Sequence, residues 1–163
     1  MHPDPNRLFD HADALINNHQ DETDLRRAVS AAYYGVFHIA LGALADWIVG
    51  PANRSIDRYA LVYRSVDHKV LRALCDQFRG ATLNADIRPY EPTGGFGPIG
   101  DFARAVLNLY ELRILADYNP TRPLSHTDAL GAVSSARPAV ANFQAATPEQ
   151  REAFLTLLAF RRR

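Results

Sequence analysis

The stretch from Leu25 to Ile48 constrains the fold more than any other, because it is apolar nearly all the way round a helix. Leu25, Val29, Ala32, Val36, Ala40, Ala43 and Trp47 fall on one face, and Tyr33, Phe37, Leu44 and Ile48 widen it. Such a helix must be covered on more than one side. Other helices of the chain, a second protomer, or both must therefore surround it. Asp21 to Asp24 supply acidic capping groups at its start. Gly50-Pro51 ends it, a residue free to leave the helix followed by one that cannot continue it. Ala31, Gly35 and Gly42 form a small-residue stripe, which either admits another helix closely or faces water.

Helical periodicity governs the rest of the chain, and no alternating strand pattern competes with it. The spacing predicts a first helix from about Pro5 to Asn18, with Leu8, Ala12, Leu15 and Ile16 inward. A third runs from Ser55 to Gly80, with a break allowed near Ser65 to Asp67. Residues 80 to 98, rich in Pro and Gly, form the longest loop. A fourth helix spans about Asp101 to Tyr118, stopped by Asn119-Pro120, and a fifth spans about Ser125 to Phe143. Thr147-Pro148-Glu149-Gln150 reads as a capping box opening a short sixth helix, whose Phe154, Leu157 and Leu158 need a partner surface. Six helices on short connections predict a single all-α antiparallel bundle, with a core over 5–118 and a helical extension over 124–163. The second and fourth helices, the most apolar, belong at its centre.

Totals limit the function classes. With 163 residues, one domain is the default and the core needs no covalent staple. The balance of 18 basic and 18 acidic residues argues against a general nucleic-acid coat, while leaving room for a local basic site. All basic residues but Lys69 are Arg, whose planar fork suits phosphate. Cys75, the lone cysteine, permits neither an internal disulfide nor a thiolate metal cluster, and a reducing cytoplasm is the expected setting. The polar, Pro-broken start does not read as a signal peptide, and the apolar run Ile39 to Gly50 is too short to span a bilayer. No membrane role is expected.

Chemistry concentrates on the second and fourth helices. At about 100° per residue, Arg104, Asn108 and Glu111 share a solvated stripe, while Arg113 points the other way among Phe102, Val106, Leu109 and Tyr110. An Arg on an apolar face is costly unless paired, and Asp117 lies one helical turn on. Two readings stand: a structural ion pair, or an Arg lining a cleft that contacts phosphate. On the second helix, Arg27, Tyr34 and His38 share a side with Ser30 nearby. They are either donors to a phosphate or base, or packed residues with satisfied polar tips.

Two strings carry a family resemblance. One is Arg26-Arg27-Ala28-Val29-Ser30-Ala31-Ala32-Tyr33-Tyr34-Gly35-Val36-Phe37-His38, and the other is Leu112-Arg113-Ile114-Leu115-Ala116-Asp117-Tyr118. Together they resemble the HEPN superfamily (higher eukaryotes and prokaryotes nucleotide-binding) over about Leu8 to Tyr118. The resemblance implies a HEPN-type bundle, a homodimer through the second and fourth helices, and an RNA- or nucleotide-directed role. Similar proteins include metal-independent endoribonucleases of toxin–antitoxin or stress systems, often paired with a small nucleotidyltransferase, and members without detected activity. In the ribonucleases an Arg is followed, after four to six residues, by a His on the late helix. The two act across a dimer cleft, His on the proton of the attacking 2′-hydroxyl and Arg on phosphate charge.

Carried onto this chain, Arg113, Asp117 and Tyr118 are the expected catalytic residues, with Arg27, Ser30, Tyr34 and His38 binding substrate. The chain departs from the pattern where the His belongs: the four-residue step lands on Tyr118, and the next His is His126, beyond Pro120 and Pro123. A phenol with a pKa of about 10 is a poor base at neutral pH. The competing expectation is a non-catalytic helical interaction protein that dimerises and docks a nucleotidyltransferase or another partner. A third is a small-ligand bundle with the 80–98 loop as a lid.

Other signals carry less. Gly95-Phe96-Gly97-Pro98-Ile99-Gly100 has dinucleotide-motif spacing but no preceding strand, so no cofactor is expected. His11 and His19, eight apart, lack metal-ligand spacing, and no metal is expected. Ser30 and His38 lie about two turns apart, too far for a direct hydrogen bond. Arg161 to Arg163 either touch phosphate or are a solvated end.

Overall fold

A computed structural model of the chain describes residues 4–18 and 20–160. His19 and Arg161 to Arg163 lie outside the described residues. Among the described residues seven α-helices follow in order: α1 Pro5–Asn17, α2 Glu22–Val49, α3 Asp57–Tyr63, α4 His68–Asp76, α5 Pro98–Tyr118, α6 His126–Ala145 and α7 Pro148–Phe160. Short 3-10 turns lie at Pro51–Asn53 and Arg88–Tyr90, and no strand occurs among the described residues. The protein is an all-α bundle.

Local chemistry sets most boundaries. The Asp21 carboxylate accepts from the Thr23 and Asp24 amides at the head of α2, at 2.7 and 3.3 Å. Gly50, at φ +95°, ends that helix. Ser125 and Asp128 form a capping box on α6. Thr147 and Gln150 form another on α7, each accepting from the other's amide at 3.2 and 3.0 Å. The single third helix expected from Ser55 to Gly80 is instead two. Asp67 caps a fresh helix by accepting from Val70 N at 2.8 Å, so the chain turns at residues 64–67 and α4 stops at Asp76. The fourth expected helix, α5, starts earlier than Asp101, because Pro98 takes the first-turn position after Gly97.

α2 is central, packing against α1, α3, α5, α6 and α7, while α5 packs against α2, α4, α6 and α7. Contacts between α2 and the C-terminal part of α5 run in reverse order, Arg26 to Asn119 at its C-cap, Ser30 to Asp117 and Tyr34 to Arg113, so the two helices are antiparallel. By length and composition α2 could cross a membrane, which the shorter run Ile39 to Gly50 had argued against, but 67% of its apolar window is buried in the fold. The far end of its apolar face is not covered: Trp47 and Ile48 are 38% and 46% exposed.

The segment after Pro123 is built into the same core. α6 packs on α2 and α5. Phe154 of α7 is fully buried, its ring 5.7 Å from Phe102 and 6.2 Å from Phe78. The loop before α5 is held by α7, where Gln150 Nε2 donates to Gly95 O at 2.9 Å. The glycine-rich stretch there serves as a turn leading into a helix.

Candidate functional site

Arg113 is the one buried charged or polar side chain among the described residues, 7% exposed. α5 points it at α2. Its Nη2 donates to the Tyr34 hydroxyl at 2.8 Å and, at 3.4 Å, to that of Tyr118. Its Nε lies 2.6 Å from Asp117 Oδ2, an ion pair with the N–H directed off the oxygen. Ser30 Oγ donates to the other Asp117 oxygen, tying the pair to α2. The guanidinium carbon sits 5.1, 5.4 and 5.9 Å from the ring centroids of Tyr118, Tyr34 and Tyr33. Burial opposes the charge, but the Tyr34 hydroxyl and Asp117 outweigh it, and the pKa rises above the ordinary Arg value. Nη1 makes no hydrogen bond and is not among the sealed-off polar atoms, so it is the guanidinium donor left open to solvent.

Five expected site residues thus meet: Arg113, Asp117, Tyr118, Tyr34 and Ser30. The Tyr118 ring is 66% exposed, forming the outer wall. Two behave differently. His38 stacks on Tyr34 at 6.3 Å, yet its Nδ1 pairs with the Tyr63 hydroxyl at 2.7 Å. It lines a separate groove of about 380 Å³ beside Asp46, Arg54 and Tyr59. Arg27 stays exposed, two helical turns or about 10 Å along the axis from Tyr34. Its neighbour Arg26 is the engaged one. Arg26 Nη1 donates to the carbonyls of Leu115, Ala116 and Asn119, and Nη2 to that of Arg122, closing the C-terminal end of α5. Glu22 holds Arg26 in place and accepts from Leu124 N. A groove of about 330 Å³, lined by Glu22, Thr23, Arg26, Ala116, Asp117 and Pro120, opens beside Asp117.

No family model, curated protein or solved structure matches this chain.

Sequence reasoning sets His68 aside, since only three residues separate it from Arg64 and the context does not fit the Arg–His pattern. It stands at the first turn of α4, and the fold brings it against the tyrosines around Arg113. Its ring centroid is 4.0 Å from Phe37, 5.4 Å from Tyr34 and 5.5 Å from Tyr33. Its Nδ1 pairs with the Tyr33 hydroxyl at 2.9 Å. Burial, and next the Arg113 charge, push its pKa below the usual His value, favouring the neutral imidazole. Burial raises the Tyr33 pKa, so that hydroxyl keeps its proton. The sequence clue to the placement of His68 is the break allowed near Ser65 to Asp67, which makes residue 68 a helix start. Nothing local said what that start would face.

No group of three or more His, Cys, Asp or Glu side chains suited to a metal ion occurs among the described residues.

Proposed function

We propose that this chain is a HEPN-type, RNA- or nucleotide-directed module of the toxin–antitoxin or stress kind, cleaving RNA without a metal through Arg113. One observation carries the reading: a buried guanidinium with a spare Nη1 donor, walled by tyrosines whose faces suit a base. In this reading Arg113 stabilises charge on the phosphate, Asp117 and Tyr34 hold the guanidinium plane, and Tyr118 offers a stacking face. Ser30 orients Asp117, and Arg27 and His38, one exposed two turns before Tyr34 and the other stacked on its ring, flank the site along α2 as further substrate contacts. The uncovered Trp47 and Ile48 support a homodimer.

The second reading is a non-catalytic interaction protein that docks a nucleotidyltransferase or another partner. It is favoured by Arg113 already forming an ion pair with Asp117 and donating Nη2 to Tyr34, as a structural lock would. Cleavage of total RNA by wild type and by Arg113→Ala, with chelator present, separates the two. The first reading expects chelator-resistant cutting that is lost in a folded mutant. Equal cutting by both proteins rejects Arg113 as the phosphate residue, and no cutting by folded wild type selects the interaction protein.

A further inference from the structure

We infer that His68, on α4, is the proton-accepting residue of the Arg113 site, so that acid–base and phosphate-binding groups come from different helices of one protomer. The inference rests on the ribonuclease reading above. An attack by the 2′-hydroxyl of RNA needs a base within hydrogen-bond reach of that proton and a cation on the phosphate. A phenol is a poor base near neutrality, and Asp117 is engaged by Arg113 and Ser30. Two imidazoles flank the ring that holds Arg113, and His68 is the nearer: its centroid and the Arg113 guanidinium carbon each lie 5.4 Å from the Tyr34 centroid, against 6.3 Å for His38, which lines the groove beside Asp46.

The local bonding prepares it. The Tyr33 hydroxyl occupies Nδ1, and no hydrogen bond uses Nε2. When Nδ1–H donates to Tyr33, Nε2 presents its lone pair. Phe37 packs against the imidazole at 4.0 Å and fixes its plane. The charged and titratable groups around it are Tyr33 and Tyr34 from α2, Arg113 and Asp117 from α5, and Asp67 at its own helix start. Burial and Arg113 favour the neutral ring, while the two carboxylates oppose them.

The step balances without a co-reactant. Nε2 takes the 2′-hydroxyl proton as the 2′-oxygen bonds to phosphorus. The phosphorus–5′-oxygen bond breaks, and its electron pair leaves on the 5′-oxygen, which takes a proton from water, while the hydroxide so formed takes the proton from His68 Nε2 and restores the neutral imidazole. The products are a 2′,3′-cyclic phosphate and a 5′-hydroxyl. Arg113 Nη1 donates to a non-bridging oxygen throughout.

The test compares wild type, His68→Gln and Arg113→Ala on total RNA with chelator, across pH 5 to 8, with folding checked by circular dichroism. Gln keeps a polar contact to Tyr33 but cannot take the proton. The expected result is a wild-type rate that falls on the acid side as an imidazole protonates, and a folded His68→Gln protein slower by about 100-fold or more without that acid limb. Cutting by His68→Gln within threefold of wild type, with the acid limb intact, overturns the inference and leaves the ribonuclease reading standing if Arg113→Ala is dead. If His68→Gln fails to fold, His68→Asn and rescue of His68→Ala by added imidazole replace it, and failure of folded variants to lose activity, or of imidazole to restore it, counts against His68. Absence of cutting by folded wild type removes the ribonuclease reading itself.

Discussion

Replacing Gly35 by Ala should destabilise the fold, although alanine is the better helix former. A Cβ at Gly35 would overlap Phe9 Cε1 and lie 2.8 Å from Cδ1 and Cζ of the same ring. Phe9 is buried, with the Arg137 guanidinium 5.4 Å over its ring, and Arg137 is itself tied to Asp10 and Asp13. The ring therefore has little room to yield. Overpacking of this kind costs about 1–3 kcal/mol, and so severe an overlap belongs at the upper end. The helix-propensity gain returns about 1 kcal/mol. The net loss is about 2 kcal/mol, or roughly 4–8 °C in Tm for a domain of this size. Gly42 on the same helix is the control, because nothing lies within 4 Å of a Cβ there. Gly42→Ala should gain about 1 kcal/mol from propensity alone. Thermal melts followed by circular dichroism, with urea midpoints, read both. Equal stability of the two variants would refute the argument that α1 is seated on α2 through Gly35.

Three further outcomes follow from the same contacts. Asp117→Asn leaves the Arg113 charge without its counter-ion, and because the carboxylate is partly exposed the urea-measured loss should be about 2 kcal/mol rather than the 3–5 of a fully buried broken pair. Arg26→Met removes four carbonyl contacts at the end of α5 and should cost about 2 kcal/mol, with faster amide hydrogen exchange confined first to the last turn of that helix. Burial and then Arg113 lower the folded-state pKa of His68, so the unfolded chain binds its proton first. Its contribution to stability is full above the unfolded value of about 6.5 and is lost as pH falls through the lower folded value. The Tm of wild type should drop between pH 7 and pH 5 more steeply than that of His68→Gln, and parallel profiles would contradict the placement of His68.

Much of the helix order was legible because its signals are local. A cap lies two or three residues from the amide it satisfies, as with Asp21, Ser125 and Thr147, and Gly50-Pro51 ends a helix wherever it occurs. The Arg113–Asp117 pair was legible for the same reason, since four residues is one helical turn. The split of the third helix was half legible: the break near Asp67 could be read, but not that α4 would end at Asp76. Arg26 and Arg27 are chemically alike, and periodicity gave no ground to prefer the one that closes α5, because its acceptors lie some ninety residues away in the chain.

By itself the sequence determined an all-helical chain, an α2 that must be buried, and a guanidinium on an apolar face with its carboxylate one turn away. Those follow from hydrophobic periodicity and short-range geometry, which every helix carries with it. Only the tertiary structure decided that Gly35 is a contact and Gly42 open space, that α7 closes the core instead of leaving an apolar face bare, and that His68 meets the tyrosines around Arg113. Each of those depends on which distant element covers a given face, and that is settled by packing the helices together, not by the pattern along any one of them.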